Sequence, residues 1–220
     1  MMMKRKNTAL VLIDLQKESN FGLDHMEQVT QNAKQLIDSF HALQMPVIYT
    51  RQINRSDRAG LSLGEPLNQD GTPFFYNNST ENIDIIDEIK PQKEDIIIDK
   101  YRWSAFYQTS LDLMLRNLQV TDLIIGGVVT DGCLMTSVYD AYFRDYNIHL
   151  VKDICTASNE GAHMSAMMIM ANWIYNLEIY DTSNLLKRVK GENYYSWKAD
   201  KVDTMQFTPE NMRNMYNNIQ

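Results

Sequence analysis

Cysteine is scarce. The 220 residues contain only Cys133 and Cys155, with no metal-type spacing and no secretory leader ahead of them. That argues against a disulfide scaffold and a cysteine-built zinc site, and it predicts a reduced, cytoplasmic setting. The basic residues among positions 1–6 are not followed by an apolar stretch long enough for a signal peptide. No apolar run approaches the ~20 residues of a membrane-spanning helix, so no membrane partner is expected. Positive charge is in deficit, 21 Lys and Arg against 28 Asp and Glu, for a net charge of −7. A nucleic-acid partner is therefore not expected either. The four histidines, His163 among them, show no ligand spacing, and no metal is expected. Internal repeats and low-complexity linkers are missing as well.

What is present is an alternation of apolar strands and amphipathic helices. Residues 8–15 read as a buried strand ending at Asp14, and residues 25–43 as a helix through Met26, Val29, Ala33, Leu36, Ile37 and Phe40. Further strands are predicted at 47–50, 95–99, 123–125, 147–151 and 176–180. Helices are predicted at 82–89, 110–118 and 183–189, and after the fifth strand comes a helix with a methionine face, Met164, Met167 and Met168. This pattern implies a three-layer α/β/α fold, a doubly wound, Rossmann-like parallel sheet of six strands. Ligands in such sheets bind at the carboxyl ends of the strands, where strand order reverses. With the commonest order, strands one and four meet there.

Residues 122–145 organise the rest. A short apolar run leads into Gly126 and Gly127, read as a tight turn, and then into Thr130-Asp131-Gly132-Cys133 and a helical pattern. Cys133 thus falls at a helix start, where unpaired N–H groups favour a thiolate and can hold an oxyanion. Asp14 falls beside it across the sheet. Lys100 ends the third strand, and the aromatic segment 101–107 follows it. The long loop 54–79, rich in Gly, Pro, Asn and Ser, reads as a binding loop. Gln52, Trp103, Phe106 and Phe21 are candidate substrate walls, and Arg102 is a candidate partner for a substrate carboxylate. Cys155 reads as a small buried residue.

Three segments, LVLIDLQ with Asp14, DKYRWSAFYQTSLDLML with Lys100 and GGVVTDGC with Cys133, resemble the isochorismatase-like cysteine hydrolases over roughly residues 8–185. The resemblance implies a catalytic set of Asp14, Lys100 and Cys133. It also implies a cis peptide at Val128–Val129 and an oxyanion hole from the N–H groups of Val129 and Cys133. No cofactor is implied. Family members that carry an Asp-x-His metal motif have it where this chain reads Arg51-Gln52-Ile53-Asn54. The thiol favours cleavage of a C–N bond in a small amide or carbamoyl, ureide-like substrate through an acyl-enzyme. Two alternatives stand beside it: vinyl-ether hydrolysis of isochorismate using Asp14, and an idle binding protein that keeps the fold. The hydrolase domain is placed at 1–190. The extension 191–220 is expected to pack on the domain or on a neighbouring subunit, with a helix starting at Thr208-Pro209-Glu210. The methionine face and the aromatic tail suggest a homodimer or homotetramer.

Overall fold

The structure, a computed structural model, describes residues 5–201, 203 and 205–219. Six parallel strands form its centre: β1 (Thr8–Ile13), β2 (Val47–Gln52), β3 (Ile96–Lys100), β4 (Asp122–Val128), β5 (Asn147–Thr156) and β6 (Leu177–Tyr180). Their order is β3-β2-β1-β4-β5-β6, and a two-residue strand β7 (Trp197–Lys198) adds antiparallel to β6. The sheet therefore has seven strands where six were expected. The additional one comes from the tail, where no alternating apolar run announces it.

β1 is buried along its whole length, between β2 and β4, which is why it reads as an unbroken apolar run. Helix α1 (Met26–Ala42) buries Val29, Ala33, Leu36, Ile37 and Phe40, a single face at helical spacing. Helices α2 (Leu111–Asn117), α3 (Met135–Tyr142), α4 (Glu160–Trp173) and α5 (Thr182–Lys190) complete the layers. α1 and α5 touch one another, as do α3 and α4, and both pairs rest on β5. Local chemistry fixes the boundaries. Asn159 caps α4 by accepting the Ala162 N–H (2.8 Å), Asp181 caps α5 by accepting the Asn184 N–H (2.6 Å), and Gly191 ends α5 at φ 79°.

Four expectations need correction. Residues 82–89 are not one helix but two single turns, Glu81–Ile83 and Asp87–Ile89. Between them Ile85 bridges to Gln16, and the Ile86 N–H donates to the Leu15 carbonyl (3.1 Å), so pairing with the main body wins over helix propensity. Gly126 and Gly127 do not turn the chain. They continue β4, because a Cβ on Gly126 would meet the Ile154 side chain at 2.3 Å. β5 extends beyond residue 151 to Thr156, pairing Cys155 with Gly127 and Thr156 with Val128 after a register shift in β4. The methionines of α4 (Met164, Met167, Met168 and Met170) are buried in the core rather than exposed, and the apolar side chains this helix does expose are Ile169 and Trp173.

The tail folds back onto this body. A helix α6 (Met212–Asn217) begins later than the expected 208 and packs against α4. Lys152 donates to the carbonyls of Tyr216 (3.1 Å) and Ile219 (3.0 Å) and lies 3.6 Å from the Tyr216 ring centroid. Among the described residues no helix is long and apolar enough to cross a membrane.

Candidate active site

Four adjacent strands each deliver one part of the site at their carboxyl ends. Asp14 follows β1 in a left-handed conformation, φ 51°, and is buried. Its Oδ1 accepts the Thr50 hydroxyl (2.7 Å) from β2, and the same hydroxyl oxygen accepts the Asp14 N–H (3.2 Å). Lys100, the last residue of β3, is fully buried and sits opposite Gln52 in the β2–β3 register. Its ammonium donates to Gln52 Oε1 (2.9 Å) and to the Arg102 carbonyl (3.2 Å). The ammonium also stands 2.7 Å from Asp14 Oδ2 as an ion pair, yet Oδ2 accepts no well-aligned hydrogen bond. Oδ2 is therefore the Asp14 atom with capacity left for a proton.

Cys133 comes after β4. The chain first makes one wide turn, Thr130–Leu134, in which the Leu134 N–H donates five residues back to the Val129 carbonyl (3.2 Å), and only then enters α3. The Cys133 carbonyl accepts the hydroxyls of Ser137 (2.6 Å) and Thr136 (3.2 Å), which fixes the turn to α3. The Val128–Val129 peptide is cis.

Burial dominates the electrostatics of this group. It pushes the Cys133 thiol up to about 12, with the Lys100 ammonium pulling it back and the Asp14 carboxylate adding to the rise. Burial alone would lower the Lys100 ammonium, but the charges of Asp14 and Cys133 outweigh it and leave it raised. Burial thus opposes the thiolate that the helix start favours, so ionising this thiol calls for a base. One expected result follows. Labelling of Cys133 by iodoacetamide should climb steadily from about pH 7 to beyond about pH 10, because the rate tracks the thiolate fraction. A plateau reached by about pH 7 would mean that the thiol is already ionised.

A cavity of about 490 Å³ opens over the thiol, and Phe21, Gln52, Trp103, Val129 and Cys133 all line it. Phe21 stacks on Phe75 with ring centroids 4.0 Å apart, making one aromatic wall. Trp103, 62% exposed, stands at the mouth. Two expected wall residues lie elsewhere. Phe106 is buried against Tyr146 beneath the Arg144 guanidinium, as a core residue. The Arg102 side chain clips the loop to β3 by donating to the carbonyls of Gly60 (2.8 Å) and Tyr101 (2.6 Å), and only its main-chain carbonyl reaches Lys100. Residues of the site that were missed include Thr50, Tyr76 and Glu65, with Phe75 and Asp131 also on the cavity wall. Thr50 had a signal, since it shares a strand face with Gln52 two residues on. Tyr76 and Glu65 had none, because loop 54–79 carries no periodicity; the Tyr76 N–H is placed by the buried Glu18 carboxylate (2.7 Å).

A larger cavity, about 580 Å³, contains none of Asp14, Lys100 and Cys133. Beside it His163 joins the Thr130 hydroxyl (2.8 Å) to the Tyr216 hydroxyl (2.9 Å), and burial lowers its imidazole to about 4. Cys155, on the same side, donates its thiol to the Val151 carbonyl (3.0 Å) and is raised to about 12 by burial. After β2, Asn54 Nδ2 donates to Glu65 Oε1 (2.9 Å) and to the Phe75 carbonyl (3.0 Å). No three His, Cys, Asp or Glu of the described residues converge as a metal site.

Known proteins resemble this chain in sequence and in fold. The chain is 25% identical over 179 residues to the ureidoacrylate amidohydrolase RutB of Acinetobacter baylyi, covering 68% of this chain and 71% of that one. It is 29% identical over 182 residues to the isochorismatase family protein YaaI of Bacillus subtilis, covering 79% and 93%. The crystal structure of a cysteine hydrolase from Pseudomonas syringae pv. phaseolicola superposes with a TM-score of 0.76 at 23% identity, over 87% of this chain and 96% of that one. With the family model of the isochorismatase domain matching residues 8–178, the chain belongs to the isochorismatase family of hydrolases.

Proposed function

We propose that the protein hydrolyses a C–N bond of a small amide or carbamoyl compound through a thioester on Cys133. The observation that carries this reading is a buried thiol that lines the cavity next to the fully buried Asp14–Lys100 ion pair (2.7 Å). A thiol of that kind is inert without a base, and Asp14 Oδ2 is the base at hand.

In the first half of the reaction Asp14 Oδ2 takes the thiol proton while Sγ forms a bond to the substrate carbonyl carbon. The carbonyl oxygen, now negative, is held by the N–H groups of Val129 and Cys133. Collapse of this adduct breaks the C–N bond, and the proton on Asp14 passes to the leaving nitrogen. In the second half a water gives a proton to Asp14 and its oxygen to the acyl carbon. The C–S bond breaks, the acid leaves, and Sγ recovers the proton. Lys100 stays protonated throughout and holds Asp14 in place, with Gln52 and Thr50 fixing the pair. Phe21 and Trp103 form the substrate walls.

Vinyl-ether hydrolysis would need Asp14 as a proton donor and no thiol, which leaves the position of Cys133 without a role. The test is direct. The protein is incubated with a panel of small primary amides and ureides, and ammonia release is measured. Quenched samples are digested and weighed for an acyl adduct on the Cys133 peptide. Ammonia release with that adduct supports the reading; turnover of isochorismate alone, with no adduct, overturns it.

A further inference from the structure

Two acidic side chains line the catalytic cavity, Glu65 and Asp131, and among the described residues that line it there is no lysine, arginine or histidine. Of the cations close by in the sequence, the exposed Arg58 does not line the cavity, and the four others are engaged elsewhere. Lys100 is buried on Asp14, and the Arg102 guanidinium is spent on two backbone carbonyls. Arg51 pairs with Asp99 (2.7 Å), and Arg55 with Asp57. Asp14 and Lys100 pair with one another, so the charge left on the cavity wall is that of Glu65 and Asp131.

Glu65 is also held in a defined way. Lys100 donates to Gln52 Oε1 (2.9 Å), Gln52 Nε2 donates to Asn54 Oδ1 (3.4 Å), and Asn54 Nδ2 donates to Glu65 Oε1 (2.9 Å). The chain of donors starts at the catalytic ammonium and ends on this carboxylate. Both amides are thereby oriented, and what the chain presents at its far end is an acceptor. A carboxylate on the wall of a partly enclosed cavity repels a second carboxylate and makes short, charge-assisted hydrogen bonds with N–H groups.

We propose that Glu65 selects the charge of the substrate: the molecule presents N–H donors or a positive charge to this wall of the cavity, and carboxylate-bearing analogues are rejected. That the reacting group is an amide rests on the function proposed above; the selection of charge does not.

The experiment separates the two. Cys133 is alkylated at fixed pH with iodoacetamide and, in parallel, with iodoacetate, which differ by an amide against a carboxylate. The ratio of the two rates is referred to the same ratio for glutathione. In wild type the ratio should exceed that of glutathione by about tenfold or more, the direction set by a like-charge contact. Glu65→Gln should bring it close to the glutathione value, and Glu65→Lys should invert it, with circular dichroism confirming that both variants fold. Turnover of succinamide and succinamate, an isosteric pair, should follow the same order. A wild-type ratio equal to that of glutathione overturns the proposal, as does a ratio that neither Glu65 variant moves or that only Asp131→Asn moves. Alkylation that is charge-selective through Glu65, without hydrolysis of either amide, supports charge selection and removes the amidohydrolase reading alone.

Discussion

Cys133→Ala should abolish amide turnover, with a loss of about 10³- to 10⁶-fold, because nucleophile and base act as one unit. Asp14 and the oxyanion donors remain in that variant, but no thioester can form. Asp14→Asn should cost a similar factor, since the thiol loses the group that takes its proton during turnover. That second variant needs a stability check. It leaves the buried Lys100 ammonium without its carboxylate, and breaking a buried pair in this way destabilises by about 3–5 kcal/mol. A melt of Asp14→Asn alongside the assay separates lost chemistry from lost fold. Under vinyl-ether chemistry the pattern differs: Asp14→Asn is severe and Cys133→Ala is nearly neutral. A fully active Cys133→Ala protein on its best substrate would therefore end the thioester mechanism.

Gly127→Ala should prevent folding, or lower stability by more than about 4 kcal/mol, a size reached only by a few mechanisms. The added Cβ would lie 2.1 Å from the Ile13 carbonyl oxygen and 2.6 Å from the Ile13 nitrogen, at φ 130°. Those atoms belong to the main chain of the central strand, one residue before Asp14, and β1 and β4 are in register there. Neither strand can retreat without pulling its neighbours. Gly22→Ala, at φ 56° with no atom within 4 Å of the new Cβ, is the control and should cost only about 1 kcal/mol. Chemical denaturation of both variants checks this; equal midpoints would show that the β1–β4 approach tolerates a methyl group.

The sequence carried the parallel sheet because apolar runs such as 8–13 and 123–125 need both faces covered, and that requirement is local. It also placed Asp14 beside Cys133, since strands one and four share the point where order reverses. Gly126 and Gly127 were misread because a glycine pair serves a turn and a close strand approach equally well, and only the neighbour decides. The segment 82–89 went wrong for a similar reason, its partner Gln16 being far away in sequence. Of the site, the residues at strand ends were legible and those in the long loop were not. Arg102 and Phe106 looked like substrate contacts by type, yet the first ties down a loop and the second fills the core. The acidity of the thiol depended on burial, which no spacing pattern reports.

The four strands that each deliver one part of the site have a consequence in time. Asp14, Thr50, Lys100 and Cys133 lie tens of residues apart, on or just after neighbouring strands, and none of them gains its partner from its own stretch of chain. Closing such distant contacts is the slow part of building a parallel sheet. The buried ion pair and the shielded thiol can therefore come into being only as the last of these strands docks. Until then Cys133 is an ordinary exposed thiol with an ordinary acidity, open to any oxidant or alkylating agent. During synthesis and refolding the Cys133 thiol is most vulnerable, and the completed sheet is what shields it.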